Sequence, residues 1–101
     1  MPIKKYNPTS AGRRISSVQT FDDVTTKKSF KKLTVSKKQM AGRSANGKIS
    51  VRHHGGGAKR HTRLVDWQQS KLDIPAVVQT IEYDPNRGAR IALVAYKDGE
   101  K

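Results

Sequence analysis

The chain has 101 residues, no cysteine, and 21 Lys or Arg against 8 Asp or Glu, a formal net charge of +13. That length accommodates one small domain, the lack of cysteine excludes disulfides and thiolate metal sites, and no apolar run approaches the length of a membrane span. A sequence pI near 10.4 points to a polyanionic partner, either nucleic acid or an anionic membrane.

The charge is concentrated at one end. Residues 1–61 carry 15 Lys or Arg and 2 acids, whereas residues 62–101 carry 6 of each, so the whole net charge lies in the first part. Apolar residues divide in the opposite sense, 17 of the last 40 against 17 of the first 61. Residues 1–61 therefore read as a basic, largely irregular extension, and residues 62–101 as the part rich enough in apolar side chains to form a core.

At the start, Met1-Pro2-Ile3-Lys4-Lys5 lacks the apolar segment of a secretory signal, and Pro8 blocks Asn7-Pro8-Thr9 as a glycosylation acceptor. The expected location is the cytoplasm, with an organelle as the alternative because of Arg13, Arg14 and the serines around them. Pro8, Gly12 and Gly42 interrupt the chain, while basic pairs recur at Lys4-Lys5, Arg13-Arg14, Lys27-Lys28, Lys31-Lys32 and Lys37-Lys38. Five pairs without balancing acids suit a path lined by phosphates better than a merely solvated loop. Ser29 to Lys38 does not read as an amphipathic membrane helix, because Phe30, Leu33 and Val35 keep no helical stripe and the threonines lower helix propensity.

Gly42 to Arg63 is the most basic stretch, with six Lys or Arg, three His, five Gly and no acid. Gly55, Gly56 and Gly57 remove every Cβ from its middle, so the backbone is expected to adopt φ > 0 there and to approach a bulky partner closely. Gly42 to Lys48 imitates a phosphate-binding loop of nucleotide hydrolases, but Ile49 stands where a magnesium-binding Ser or Thr belongs, and no buried strand precedes it. His53, His54 and His61 have no cysteine or carboxylate nearby to complete a zinc shell or orient a general base. Adjacent histidines in an extended chain point to opposite sides. No enzyme constellation, metal site or cofactor site emerges, and no small-molecule substrate is implied.

From Thr62 onward the pattern is that of strands, predicted at Thr62 to Trp67, Ile74 to Tyr83 and Ala89 to Lys97. Asp84-Pro85-Asn86-Arg87-Gly88 supplies the turn between the second and third. Asp98-Gly99 opens another hairpin turn, with only Glu100 and Lys101 after it, so a truncated and marginal module is expected. Trp67, Tyr83 and Tyr96 have the chemistry of stacking platforms for bases, but they are read as core residues by default, since aromatics in strands usually pack inward.

The chain resembles the N-terminal portion of the large-ribosomal-subunit protein L-two family. Three segments carry the resemblance: Asn7 to Arg14; Gly42 to Trp67, with Arg52-His53-His54-Gly55-Gly56-Gly57-Ala58-Lys59; and Ile74-Pro75-Ala76 through Glu82-Tyr83-Asp84-Pro85-Asn86-Arg87 to Asp98-Gly99-Glu100. The sequence departs from the family's pattern at Ala11 (usually proline), Ser44-Ala45 (asparagine-rich), Ala58 (commonly histidine), Trp67 (commonly phenylalanine) and Asp73 (commonly glycine). The resemblance implies a mainly β fold, an incomplete OB-like β-barrel preceded by the basic extension. It also implies a structural role in the large ribosomal subunit: binding large-subunit ribosomal RNA, contacting other ribosomal components, and supporting RNA folding, subunit association and tRNA binding.

The candidate phosphate contacts are Arg13, Arg14, Lys37, Lys38, Arg43, Lys48, Arg52, Lys59, Arg60 and Arg63, with Arg87 a further candidate on its turn. Asn46, His53 and His54 are candidates for base or sugar contacts, and Gly55, Gly56 and Gly57 for close backbone approach. The alternatives are a stand-alone nucleic-acid-binding module or RNA chaperone of low sequence specificity and, more distantly, a membrane-surface or calmodulin-target protein.

Overall fold

The computed structural model describes residues 2–101. It contains three separate two-stranded antiparallel sheets and no closed barrel among the described residues. The radius of gyration is 18.9 Å, against about 13 Å for a compact domain of 100 residues.

The first ribbon pairs β1 (Ile3–Lys5) with β2 (Ser17–Gln19), placing Lys4 opposite Val18. Between them lies a single helical turn, α1 (Ala11–Arg14). Ser10 caps it, its hydroxyl accepting from the Arg13 amide at 3.4 Å, while the Ser16 hydroxyl donates to the Gly12 carbonyl at 2.6 Å. Such caps satisfy backbone groups that a four-residue helix cannot pair internally.

A 3-10 turn at Lys31–Leu33 leads into β3 (Thr34–Ser36), which pairs with β4 (His61–Arg63). The ladder runs one step further at each end, through Leu64 N to Leu33 O at 2.9 Å and Lys37 N to Arg60 O at 3.3 Å. Residues 37–60 thus form one long excursion whose ends are fixed by strand pairing.

The third sheet joins β5 (Ala76–Glu82) to β6 (Ile91–Tyr96), with a bulge between Val78 and Thr80. Val77, Val78, Thr80 and Ile81 supply the β-branched run, and Pro75 precedes it, where its missing N–H costs no ladder bond. The Pro75 carbonyl instead accepts from Lys97 N at 3.0 Å. In the connecting turn the Asp84 carboxylate accepts from the Asn86 amide at 2.9 Å. The Asp98-Gly99 turn also forms, with Gly99 at φ 91° and its amide donating to Tyr96 O at 3.0 Å.

Two sequence expectations require correction. The strand predicted at Thr62 to Trp67 is confined to His61–Arg63, and it pairs with β3 instead of joining the later strands. The expected apolar core does not form: among the described residues no hydrophobic side chain is fully buried, and the buried ones are Glu82 and Asp84. A two-stranded ribbon offers no second layer, so the apolar faces of β5 and β6 are not enclosed.

Polar and aromatic contacts hold the pieces together. Arg90 lies over the rings of Phe21 and Tyr83, 4.9 Å and 5.4 Å from their centroids, and its Nε is 3.5 Å from the Asp23 carboxylate. Thr25 bonds to Ile81 on the edge of β5. Asn86 Nδ2 donates to His61 O at 3.0 Å, linking the hairpin turn to β4. Lys71 Nζ reaches Asp98 at 2.7 Å and also the Glu100 carboxylate, pinning the loop after β4 to the C-terminal turn. The Asp98 bond raises the Lys71 pKa, and the same bond lowers that of Asp98.

Candidate nucleic-acid interface

The excursion from 37 to 60 is organised by its backbone. Ser50 N and Val51 N both donate to Gly42 O, at 2.9 and 3.1 Å, and Arg43 bridges Ile49 across a tight turn closed by Gly47 N to Ser44 O at 2.9 Å. The imitation phosphate-binding loop is therefore a small hairpin. Asn46 and Lys48 sit at its tip, and the Ser44 hydroxyl bonds to the Asn46 carboxamide.

The glycines divide the work differently from the expectation. Gly42, at φ 68°, and Gly47, at φ 79°, occupy the left-handed region, and a Cβ on Gly42 would meet Val51 O at 2.2 Å. None of Gly55, Gly56 and Gly57 adopts a left-handed φ, and a Cβ on Gly55 would meet open space. The turn beside Val51 provides the strained site, while the triple glycine runs alongside residues 39–41. Gly57 N donates to Gln39 Oε1 at 3.2 Å, and Gly56 faces the Ala41 Cβ. His53 also departs from the extended geometry expected of it, adopting φ 65°. Its neighbour's carbonyl, His54 O, accepts from Arg43 Nη1 at 3.3 Å.

Pairing of β3 with β4 brings Lys37 and Lys38 to the same place as Lys59 and Arg60. Lys37, Lys38 and Lys59 line one open cleft of about 520 Å³ with Gln39, Gly56 and Gly57. Arg52 is exposed on the far part of the excursion. Arg13 and Arg14 stand on the other ribbon, exposed at the end of α1, with the Arg13 guanidinium 4.8 Å from the Tyr6 ring centre.

Besides Arg43, two more candidate cations are engaged within the protein. Arg63 donates to His61 O at 2.6 Å, and Arg87 donates to the Asp84 carboxylate at 2.5 Å. Asp84 has no exposed surface. Burial alone would raise the Asp84 pKa, but the Asn86 amide, Arg87 and Arg63 outweigh it and hold the carboxyl below its usual range. The sequence identified Asp84 and Arg87 as residues of one turn; that the Asp84 carboxylate would be buried, with Arg63 from β4 near enough to act on its charge, had no local signal.

Trp67 is the residue that the sequence assigned to the core instead of to a stacking role. The core role expected of it is incorrect, since it lies outside any strand and is 74% exposed. Tyr83, also read as core, is 45% exposed, and its ring packs edge-on against Phe21 with centroids 5.5 Å apart. Tyr96 is half-buried beneath Lys71 Nζ at 5.1 Å.

A β-built framework that presents an acid-free cationic hairpin and an exposed aromatic has the chemistry of a nucleic-acid-binding protein. Residues 30–101, well over half of the chain, match the family model described as Ribosomal Proteins L2, RNA binding N-terminal domain, and the chain belongs to that family. It is thus an RNA-binding ribosomal protein, not an enzyme, and its fold class is mainly β with an incomplete OB-like barrel after a basic, largely irregular extension. The matched region starts after Asn7 to Arg14, so the first segment of the resemblance lies outside it.

Proposed function

We propose that this chain binds large-subunit ribosomal RNA, with residues 1–61 as a basic arm and residues 62–101 as the β module that anchors it. In this reading it contacts other ribosomal components in a cytoplasmic ribosome and supports RNA folding, subunit association and tRNA binding during translation. The observation that carries the reading is where the ion pairs fall. Among the described residues the paired cations are Lys71, Arg87 and Arg90, all beyond residue 61, so no Lys or Arg of the arm has a carboxylate partner. Fifteen cations against two acids on one arm repel one another until phosphates neutralise them and release condensed counterions.

Within the arm, Lys37, Lys38, Lys59 and Arg60 neutralise neighbouring phosphates, while Asn46, His53 and His54 reach bases or sugars. The test is a salt titration with a structured large-subunit RNA fragment. Log affinity should fall with log salt by about 0.7 to 0.9 per phosphate neutralised, and Lys37→Gln with Lys38→Gln should reduce that slope by about 1.4 to 1.8. Salt-insensitive binding sinks the proposal. Equal affinity for an unstructured RNA favours a nucleic-acid module of low specificity. Cofractionation with organellar instead of cytoplasmic ribosomes would correct the compartment.

A further inference from the structure

Trp67 is the chain's single tryptophan, and its setting is that of a binding residue. An indole is among the largest apolar surfaces a protein can bury, yet this one stands in solvent at 74% exposure. The backbone around it is ordered: the Asp66 carboxylate accepts from the amides of Gln68 and Gln69, both at 3.1 Å. The Arg87 guanidinium carbon lies over the ring, 5.5 Å from its centroid. Arg87 is itself anchored by the buried Asp84 carboxylate, which the Asn86 amide orients. The cation is therefore positioned against the indole before any partner arrives.

Trp67, Arg87 and Arg63 line one open groove of about 1050 Å³ that also contains Leu64 and Leu72. The exposed indole offers single-stranded nucleic acid a surface for a base, and Arg63, which has no carboxylate partner among the described residues, offers positive charge for a phosphate. Arg87 is committed to Asp84, and the groove is also lined by Asp66, Glu82 and Glu100. The other tyrosines of this part are less exposed than Trp67 and pack against protein groups, Tyr83 against Phe21 and Arg90, and Tyr96 against Lys71.

We propose that Trp67 stacks on an unpaired RNA base, with Arg87 holding the indole in place and Arg63 facing the same nucleotide. This rests on the RNA-binding reading above and narrows it: the groove takes a looped-out or single-stranded nucleotide, since bases within an A-form helix offer no free face.

Because the chain has one tryptophan, the unmodified protein supplies its own probe. The complete chain is titrated with an end-labelled RNA fragment of the large subunit that contains unpaired loops, and the label's anisotropy is followed together with indole emission. Quenching should track the anisotropy isotherm. Trp67→Ala should weaken binding by about 5- to 150-fold while leaving the salt slope unchanged, because a stack is lost and no phosphate contact is. Trp67→Phe should restore most of the affinity. If anisotropy reports binding while indole emission stays constant and Trp67→Ala binds like the parent, the stacking proposal is overturned and RNA binding stands. If anisotropy reports no binding at all, the RNA-binding reading fails and takes this proposal with it. Indole emission that responds to another ribosomal protein and not to RNA also overturns it, assigning the groove to a protein.

Discussion

Thr25 and Ile81, 56 residues apart, are joined by reciprocal hydrogen bonds: Thr25 N donates to Ile81 O at 3.0 Å, and Ile81 N donates to the Thr25 hydroxyl at 2.9 Å. The side chain thus completes a pairing that the Thr25 backbone only begins, docking the segment after the first ribbon against the edge of β5. With Arg90 held over Phe21 and Tyr83 nearby, this contact sets where the basic arm leaves the β5–β6 hairpin.

Thr25→Val keeps the shape but removes the acceptor, leaving Ile81 N without its partner. The expected loss is about 1 kcal/mol, read as hydrogen exchange at Ile81 that is faster by roughly fivefold or more. Thr25→Ser should stay close to the parent. Unchanged exchange in Thr25→Val would mean that the segment does not rest on β5.

The two kinds of glycine in the basic excursion should respond differently to alanine. Gly42→Ala puts a Cβ at 2.2 Å from Val51 O in a left-handed backbone, a cost of at least about 1–2 kcal/mol. It should unsettle the turn and weaken RNA binding together. Gly55→Ala meets no protein atom within 4 Å, so the free chain should tolerate it. If Gly55 approaches RNA closely, RNA affinity alone falls. Amide shifts of Ser50 and Val51, measured beside RNA affinity, separate the two outcomes.

Asp84 makes the hairpin turn sensitive to acid. Its carboxyl is held below the usual range in the folded chain, so the unfolded chain, with a pKa of about 3.9, takes up protons first. The stabilisation is fully present above that value and is lost as pH falls through the lowered folded value. The Asn86 amide resonance should hold steady from neutral pH to about pH 4 and move below it. Asp84→Asn should abolish that transition. A midpoint at or above the ordinary aspartate value would contradict the geometry.

Much of the third sheet is legible in the sequence. Ala76–Glu82 and Ile91–Tyr96 are long enough to display β-branched character, and Asp84, Pro85 and Gly99 mark turns whose chemistry is local. β1, β2 and β3 are three residues each, too short to carry a period, and their partners lie 12 to 29 residues away. Asp73, noted as standing at a common glycine position, proves to hold φ 61°, a conformation that aspartate tolerates better than most side chains. Of the candidate site, the cationic residues were visible one by one. That Lys37, Lys38 and Lys59 share a cleft, whereas Arg63 and Arg87 are engaged within the protein, depends on strand register and on a buried acid.

Charge, its confinement to residues 1–61, and the chemistry of a phosphate-binding surface are properties of composition, which survives any folding and can be read from the chain alone. The exposure of Trp67, the burial of Asp84 and the convergence of distant lysines are properties of position. They follow from which strands pair and which faces lack a second layer, and such non-local contacts have no signature in the residues on either side.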